Sequence, residues 1–227
     1  MKRSDINGAI RRMEKLIADY RFALPPFLHW TPAEWAAAGH EYDEIRDNML
    51  GWDVTDFGMG RFGELGLTLI TLRNGNPKNA RYTKTYAEKL LMIEEGQRLP
   101  MHFHWHKMED IINRGGGDLV FRLYTAADDG SLSDAEVAID SDGRRYTVAA
   151  GQPIVLRAGE SITLYPKYYH EATIAPGTGT ALLGEVSMCN DDNTDNRFLD
   201  RFPRFPKIEE DEAPYRLLCN EYPQARD

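Results

Sequence analysis

The sequence predicts a mostly β domain, a barrel or jelly roll of short strands with helices packed on its outside. Three observations predict it. Apolar residues recur at helical intervals over the first fifty or so positions, and from about Asp53 the period falls toward two. Turn signals then punctuate the chain at the short, regular spacing of a sandwich or barrel.

The helical part has two segments. Ile6, Ile10, Met13, Ile17 and Tyr20 recur every three or four residues, with Ser4 or Asp5 as the expected N-cap. Pro25-Pro26 breaks this helix. Thr31-Pro32-Ala33-Glu34 starts a second one: a capping threonine, proline at the first helical position and glutamate at the third. It is expected to run through Trp35, Ala38 and Tyr42 toward Leu50. Both segments carry polar faces, so they pack on the outside of something else.

Strands are predicted over 65–72, 86–93, 119–124, 136–139, 145–148, 153–156, 161–165, 172–174 and 181–187. The turns between them include Asn74-Gly75-Asn76-Pro77, Glu95-Gly96, Gly115-Gly116-Gly117, Asp128-Asp129-Gly130, Asp142-Gly143, Ala158-Gly159 and Pro176-Gly177. After Arg197 the chain is rich in proline, arginine and acidic residues, including Phe202-Pro203-Arg204-Phe205-Pro206, and is expected to drape over the barrel. Neither a repeat nor an inter-domain linker is visible. The expected organisation is one domain over 1–227, with a helical extension (1–52), a barrel (53–197) and an extended tail (198–227).

Bulk properties exclude several function classes. A net charge of −9 argues against a nucleic-acid-binding surface, which needs a basic patch. No apolar run approaches the ~18 residues of a membrane span. Cys189 and Cys219 have no CxxC spacing, so two free thiols in a reducing compartment are expected, with a bridge as the alternative. A soluble, cytoplasmic protein is the expectation.

The chemistry concentrates in Gly96-Gln97-Arg98-Leu99-Pro100-Met101-His102-Phe103-His104-Trp105-His106-Lys107-Met108-Glu109. His102 and His104 are two apart, so on a strand both imidazoles share one face. Glu109 can return to that face from the next strand, and His170 follows the turn at Leu164-Tyr165-Pro166. Filling a core with alternating histidines is costly, because buried imidazoles need partners. Three imidazoles and a carboxylate suit Mn, Fe, Co, Ni or Zn, with positions left for water or substrate. His106 continues the alternation and is read as supporting a ligand or touching substrate, or as a ligand itself. His29 and His40 are read as structural, and Phe103, Trp105 and Tyr168 chiefly as packing.

Gly96, His102, His104, Glu109 and Gly116 match the first motif of the cupins, so the chain resembles that superfamily of double-stranded β-helix barrels. The resemblance implies one metal held by His102, His104, Glu109 and His170. The second motif is distorted. Gly159 and His170 keep its span, but Pro166 comes one place late, Tyr168 stands where a glycine is expected and Ile174 where an asparagine is.

A narrower resemblance covers almost the whole chain. Lys2-Arg3-Ser4-Asp5-Ile6-Asn7, Met101-His102-Phe103-His104-Trp105-His106-Lys107, and the run from Gly184-Glu185-Val186-Ser187 to Asp192-Asn193-Thr194-Asp195-Asn196-Arg197-Phe198 are similar to the D-lyxose isomerases. That resemblance implies interconversion of D-lyxose with D-xylulose, and of D-mannose with D-fructose, usually with Mn²⁺. Zn, Co and Fe accept the same ligands. A homodimer is expected, since dimers are common among cupins.

Such an isomerase needs a metal on the two sugar oxygens and a base that moves a proton between neighbouring carbons. Glu185 shares a strand face with Leu183 and Ser187 and is a candidate catalytic base or substrate clamp, the alternative being a solvent-facing residue. Lys107 is a candidate to protonate or orient a sugar oxygen, and Lys89 is a candidate sugar contact; for both the alternative is a solvated surface lysine. Asp195 and Arg197 are candidates to bind sugar hydroxyls, or else parts of a locally bonded loop. The same ligand set also serves an Fe(II) cupin dioxygenase or a non-enzymatic sugar-binding cupin.

Overall fold

A computed structural model describes residues 1–227 except Asn193, Arg201, Phe202 and Arg204. Asn193 of the 192–198 segment, and Phe202 and Arg204 of the proline-rich tail, therefore lie outside the described residues.

The first helix, α1 (Arg3–Asp19), forms where the periodicity places it, and buries Ile6, Ile10, Met13 and Ile17. Its N-cap is Lys2, ahead of the predicted Ser4 or Asp5. Asp5 sits at the third helical position and accepts the backbone N–H of Lys2 at 3.3 Å. Ser4 is engaged elsewhere: its hydroxyl donates to Asp211 at 2.7 Å.

Thr31 caps α2 (Pro32–Ala37) through the predicted capping box with Glu34. The helix stops short of Leu50, however. Ala38 turns extended, and its carbonyl accepts from Arg226 N and Arg46 Nη2. This long-range contact overrides local propensity, and helix resumes only as α3 (Asp43–Asp47).

Thirteen strands follow among the described residues: β1 (Gly51–Thr55), β2 (Leu67–Arg73), β3 (Tyr86–Ile93), β4 (Arg98–His104), β5 (Glu109–Gly116), β6 (Leu119–Thr125), β7 (Val137–Ser141), β8 (Arg144–Val148), β9 (Ile154–Leu156), β10 (Ser161–Leu164), β11 (Tyr168–Ile174), β12 (Ala181–Met188) and β13 (Asn196–Phe198). They build two antiparallel sheets, one in the order β1-β2-β3-β12-β5-β10-β7-β8 and the other β13-β4-β11-β6-β9. This is the mostly β cupin architecture that the sequence predicts. The predicted strand ranges are each found, within a few residues at their ends. β1 and β13 extend the sheets past the expected limits at 53 and 197.

Two apolar layers hold the fold together. Leu67, Leu69, Leu91, Leu183, Phe121 and Leu123 fill the space between the sheets. On the outer face of the large sheet, α1 packs its apolar stripe against Trp52, Ile70, Leu90, Met92 and Leu182. β2 and β3 are therefore covered on both faces, which is why Leu67–Leu72 and Leu90–Ile93 read as apolar runs rather than alternations. The tail lies along this layer. Leu218 bridges to Trp52, Cys219 N donates to the Trp52 carbonyl at 2.7 Å, and the Tyr222 ring stacks on Trp35 at 3.9 Å.

Candidate active site

The site lies between the sheets, where strand parity turns chemistry-bearing side chains inward. Gly96, at φ 93°, makes the turn from β3 into β4 in a conformation that favours glycine. β4 then sends His102 and His104 into the interior and Phe103 outward, onto Trp105 and Tyr169. β11 runs antiparallel beside it with His170 opposite His102. Its incoming turn lacks the motif's glycine, yet Lys167 adopts a left-handed φ of 63° and donates its N–H to the His104 carbonyl at 2.8 Å. The distorted motif still delivers His170.

Glu109, at the start of β5, approaches from the other sheet. Its Oε1 lies 3.2 Å from His104 Nε2 and 3.4 Å from His170 Nε2. One nitrogen from each of His102, His104 and His170 falls within a span of 4.8 Å. Two of the rings are held from behind: His102 Nδ1 donates to the Pro100 carbonyl at 2.8 Å and His170 Nδ1 to that of Tyr168 at 2.9 Å. That leaves both Nε2 lone pairs free to bind.

Burial, with repulsion from the neighbouring rings, pushes His102 well below an ordinary histidine pKa, and burial lowers His170 to about 4. Burial alone would raise the carboxyl of Glu109. Lys107 and the imidazoles outweigh it and hold that pKa well below the ordinary value. His102 and His170 are therefore neutral imidazoles beside an ionised carboxylate. His104 Nδ1 is buried without a hydrogen-bond partner. A centre of three nitrogens and one oxygen fits a divalent metal ion.

A second group of charges adjoins these four. Lys89 and Glu185 face each other across β3 and β12, and Lys107 sits in the turn between β4 and β5. All three are at most 4% exposed. Lys107 Nζ lies 2.5 Å from Glu109 Oε2 and 2.9 Å from Glu185 Oε1. Burial would lower the Lys107 pKa, but the two carboxylates reverse that and raise it above the ordinary lysine value. Lys89 Nζ is 3.4 Å from Glu185 Oε1, and Ser187 Oγ is 3.1 Å from the same oxygen. A buried carboxylate is expensive unless paired, and here it is paired twice.

One cavity thus gathers His102, His104, Glu109, His170, Lys107, Lys89 and Glu185, walled by apolar side chains including Phe57, Leu69 and Phe121. Three other predicted residues do not line it. His106 falls beyond the end of β4, where the alternation stops, and its ring is exposed. Asp195 is buried, but its carboxylate accepts the backbone N–H groups of His106 (2.9 Å) and Lys107 (3.1 Å) and so shapes the turn that carries Lys107. Arg197 pairs with Phe103 across β13 and β4, which gives it the outward parity. It is exposed and donates to the Tyr169 hydroxyl at 3.1 Å.

The same pairing puts Asn196 opposite His104 and Phe198 opposite His102, so these two line the cavity in its place. Phe198 stacks on the His102 ring at 5.3 Å. Sequence reasoning missed both, because a three-residue strand is too short to show alternation. It also missed Asn190, a polar loop residue with no distinguishing pattern around it.

The geometry is matched by kinship. A family model described as D-lyxose isomerase matches residues 1–222. A D-lyxose/D-mannose isomerase from Serratia proteamaculans is 48% identical over 223 residues, covering 98% of both chains. One of the same name from Escherichia coli O157:H7 is 44% identical over 227 residues, covering 100% of both. Among solved structures, the L-ribose isomerases of Geodermatophilus obscurus (TM-score 0.61, 14% identity) and Cellulomonas parahominis (TM-score 0.59, 16% identity) share the fold over 92% of this chain and 98% of theirs. With the match running nearly end to end and two relatives far above the identity at which families diverge, the chain belongs to the D-lyxose isomerase family.

Proposed function

We propose that the protein is a metal-dependent aldose–ketose isomerase that interconverts D-lyxose with D-xylulose and D-mannose with D-fructose. One structural observation carries the chemistry: a buried, doubly lysine-paired carboxylate, Glu185, on the wall of the cavity that holds the His102–His104–Glu109–His170 cluster. The family membership supplies the sugar.

His102, His104, Glu109 and His170 would hold the metal, Mn²⁺ in this reading. When bound, it supplies Lewis acidity to the sugar's O1 and O2. Glu185 acts as the base, taking the proton from C2 of the aldose and delivering one to C1, while the hydroxyl proton of O2 passes to O1. The ammonium groups of Lys107 and Lys89 pair with Glu185, and an ammonium that faces the sugar stabilises negative charge developing on its oxygens. Phe57, Leu69, Leu91 and Phe121 exclude water from the reacting carbons. Asp195 contributes by holding the Lys107 turn, and His106 and Arg197 lie outside the cavity.

Nothing in the site favours the Fe(II) dioxygenase or the binding-only reading over this one. The test is to strip the protein of metal, reload it with Mn²⁺, Co²⁺ or Zn²⁺, and incubate it with D-lyxose and D-mannose in D₂O. Ketose carrying solvent deuterium at C1 is expected. Absence of ketose with every metal overturns the isomerase; deuterium at C1 shows proton transfer through an exchangeable group, and full turnover by Glu185→Gln with no deuterium at C1 replaces it by a hydride shift.

The reading extends to a cytoplasmic homodimer. Tyr86, Val186 and Met188 are 47–49% exposed on the outer face of β3 and β12 and suit a second copy. Cys189 and Cys219 are not joined in a disulfide, in keeping with a reducing compartment. Light scattering that gives a monomer mass would overturn the dimer.

A further inference from the structure

Behind Glu185 the two buried lysines converge on one neutral oxygen. Asn190 Oδ1 accepts from Lys89 Nζ at 2.6 Å and from Lys107 Nζ at 3.4 Å. An ammonium carries three N–H donors and no acceptor. Lys107 has an oxygen for each of them: it donates to Glu185 Oε1 and Asn190 Oδ1, and it forms an ion pair with Glu109 Oε2 at 2.5 Å. Lys89 has two among the described residues, Asn190 Oδ1 and Glu185 Oε1. One N–H of Lys89 is left for the cavity that it lines.

The lysines are therefore not equivalent, and the asymmetry depends on where the Asn190 side chain is held. Asn190 N donates to Asn74 Oδ1 at 2.9 Å, and Asn74 Nδ2 donates back to the Asn190 carbonyl at 3.0 Å. Asn74 is anchored in turn, because Asn48 Nδ2 donates to its carbonyl at 3.2 Å. Asn48 and Asn74 are buried. A rigid pair of amides thus presents one oxygen to both ammoniums.

We propose that Asn190 is a positioning residue. Its side-chain oxygen fixes Lys107 as a brace between Glu109 and Glu185, and it holds Lys89 with an N–H to offer a sugar oxygen. The proposal rests on the isomerase reading and assigns the sugar-facing ammonium to Lys89, not Lys107.

The test compares Asn190→Ala and Asn190→Asp with the unaltered protein, reading metal content, kcat and KM for D-lyxose, and the rate at which an amine reagent labels Lys89 and Lys107, mapped by mass spectrometry. Asn190→Ala is expected to keep its metal, to lose about tenfold or more in kcat with KM within about threefold, and to label faster at both lysines. Asn190→Asp keeps an oxygen in place and is expected to recover at least about a third of kcat and the slow labelling. Unchanged kcat in Asn190→Ala, loss of metal along with activity, or no recovery in Asn190→Asp overturns the proposal. An unaltered protein that makes no ketose overturns the isomerase reading alone; the labelling rates then decide the Asn190 contacts, and equal rates in all three proteins overturn them.

Discussion

His170 faces His102 across the ladder between β4 and β11, with ring centroids 4.1 Å apart and each ring tied at Nδ1 to a carbonyl two residues earlier in its own strand. The two strands thus act as a jig that aims both Nε2 atoms at one point. His102→Ala removes one of the four proposed ligands and leaves the buried apolar side chains in place. It is expected to lower metal affinity by about 100-fold or more while keeping the β circular-dichroism spectrum. Unchanged metal stoichiometry in dialysed protein would refute the assignment.

The same burial makes the metal-free protein sensitive to acid. An unfolded histidine binds its proton near 6.5, whereas His170 in the fold does so only at about 4, and His102 is shifted the same way. Below pH 6.5 the unfolded state gains protons that the folded state refuses. The stability present above 6.5 is therefore lost progressively down to about 4, by about 3 kcal/mol for His170 alone. Melting of the metal-free protein at pH 7.5 and pH 5 checks this, and equal Tm values would contradict it.

Glu185→Gln keeps the size of the side chain and removes the proposed base. Metal content is expected to stay at the unaltered level while kcat falls by about 100-fold or more. Normal turnover in this variant would take Glu185 out of the mechanism.

Arg197→Ala tests the strand parity of β13. Since Arg197 points away from the cavity, its loss is expected to leave KM for D-lyxose within about twofold and to cost about 1 kcal/mol through its bond to Tyr169. A large rise in KM would return Arg197 to the substrate site.

Arg3 is almost wholly buried and pairs with Glu210 and Glu221, whose side chains are 56% and 20% exposed. Because solvent already screens both carboxylates, Arg3→Ala is expected to cost about 1–3 kcal/mol, less than a fully buried pair. Denaturant melts would show it, and activity per folded molecule should not change.

Much of the site is legible in the sequence because period two is a strong constraint. Once 98–104 and 181–187 read as strands, His102 with His104, and Leu183 with Glu185, must share faces. The partial second motif also points to the histidine that the fold brings beside His102 and His104, since what matters is a turn of the right length and Lys167 can supply its left-handed residue. Arg197 and Phe198 were harder: their strand is three residues long and exists only because β4 pairs with it. The break after Ala37 is likewise invisible locally, because the group that caps it, Arg226 N, comes from the far end of the chain.

That far end sets a clock on biosynthesis. Arg3 and Glu221 are 218 residues apart, so at roughly 5–20 residues per second the helix α1 emerges some 10–40 s before its last partner does. Of the strands α1 lies on, β1, β2 and β3 come early, but β12, which supplies Leu182 to the docking surface, comes after nearly all of the barrel. Until β12 and the tail arrive, the stripe of Ile6, Ile10, Met13 and Ile17 has only part of its cover, and its edge is open to a chaperone or to a neighbouring nascent chain.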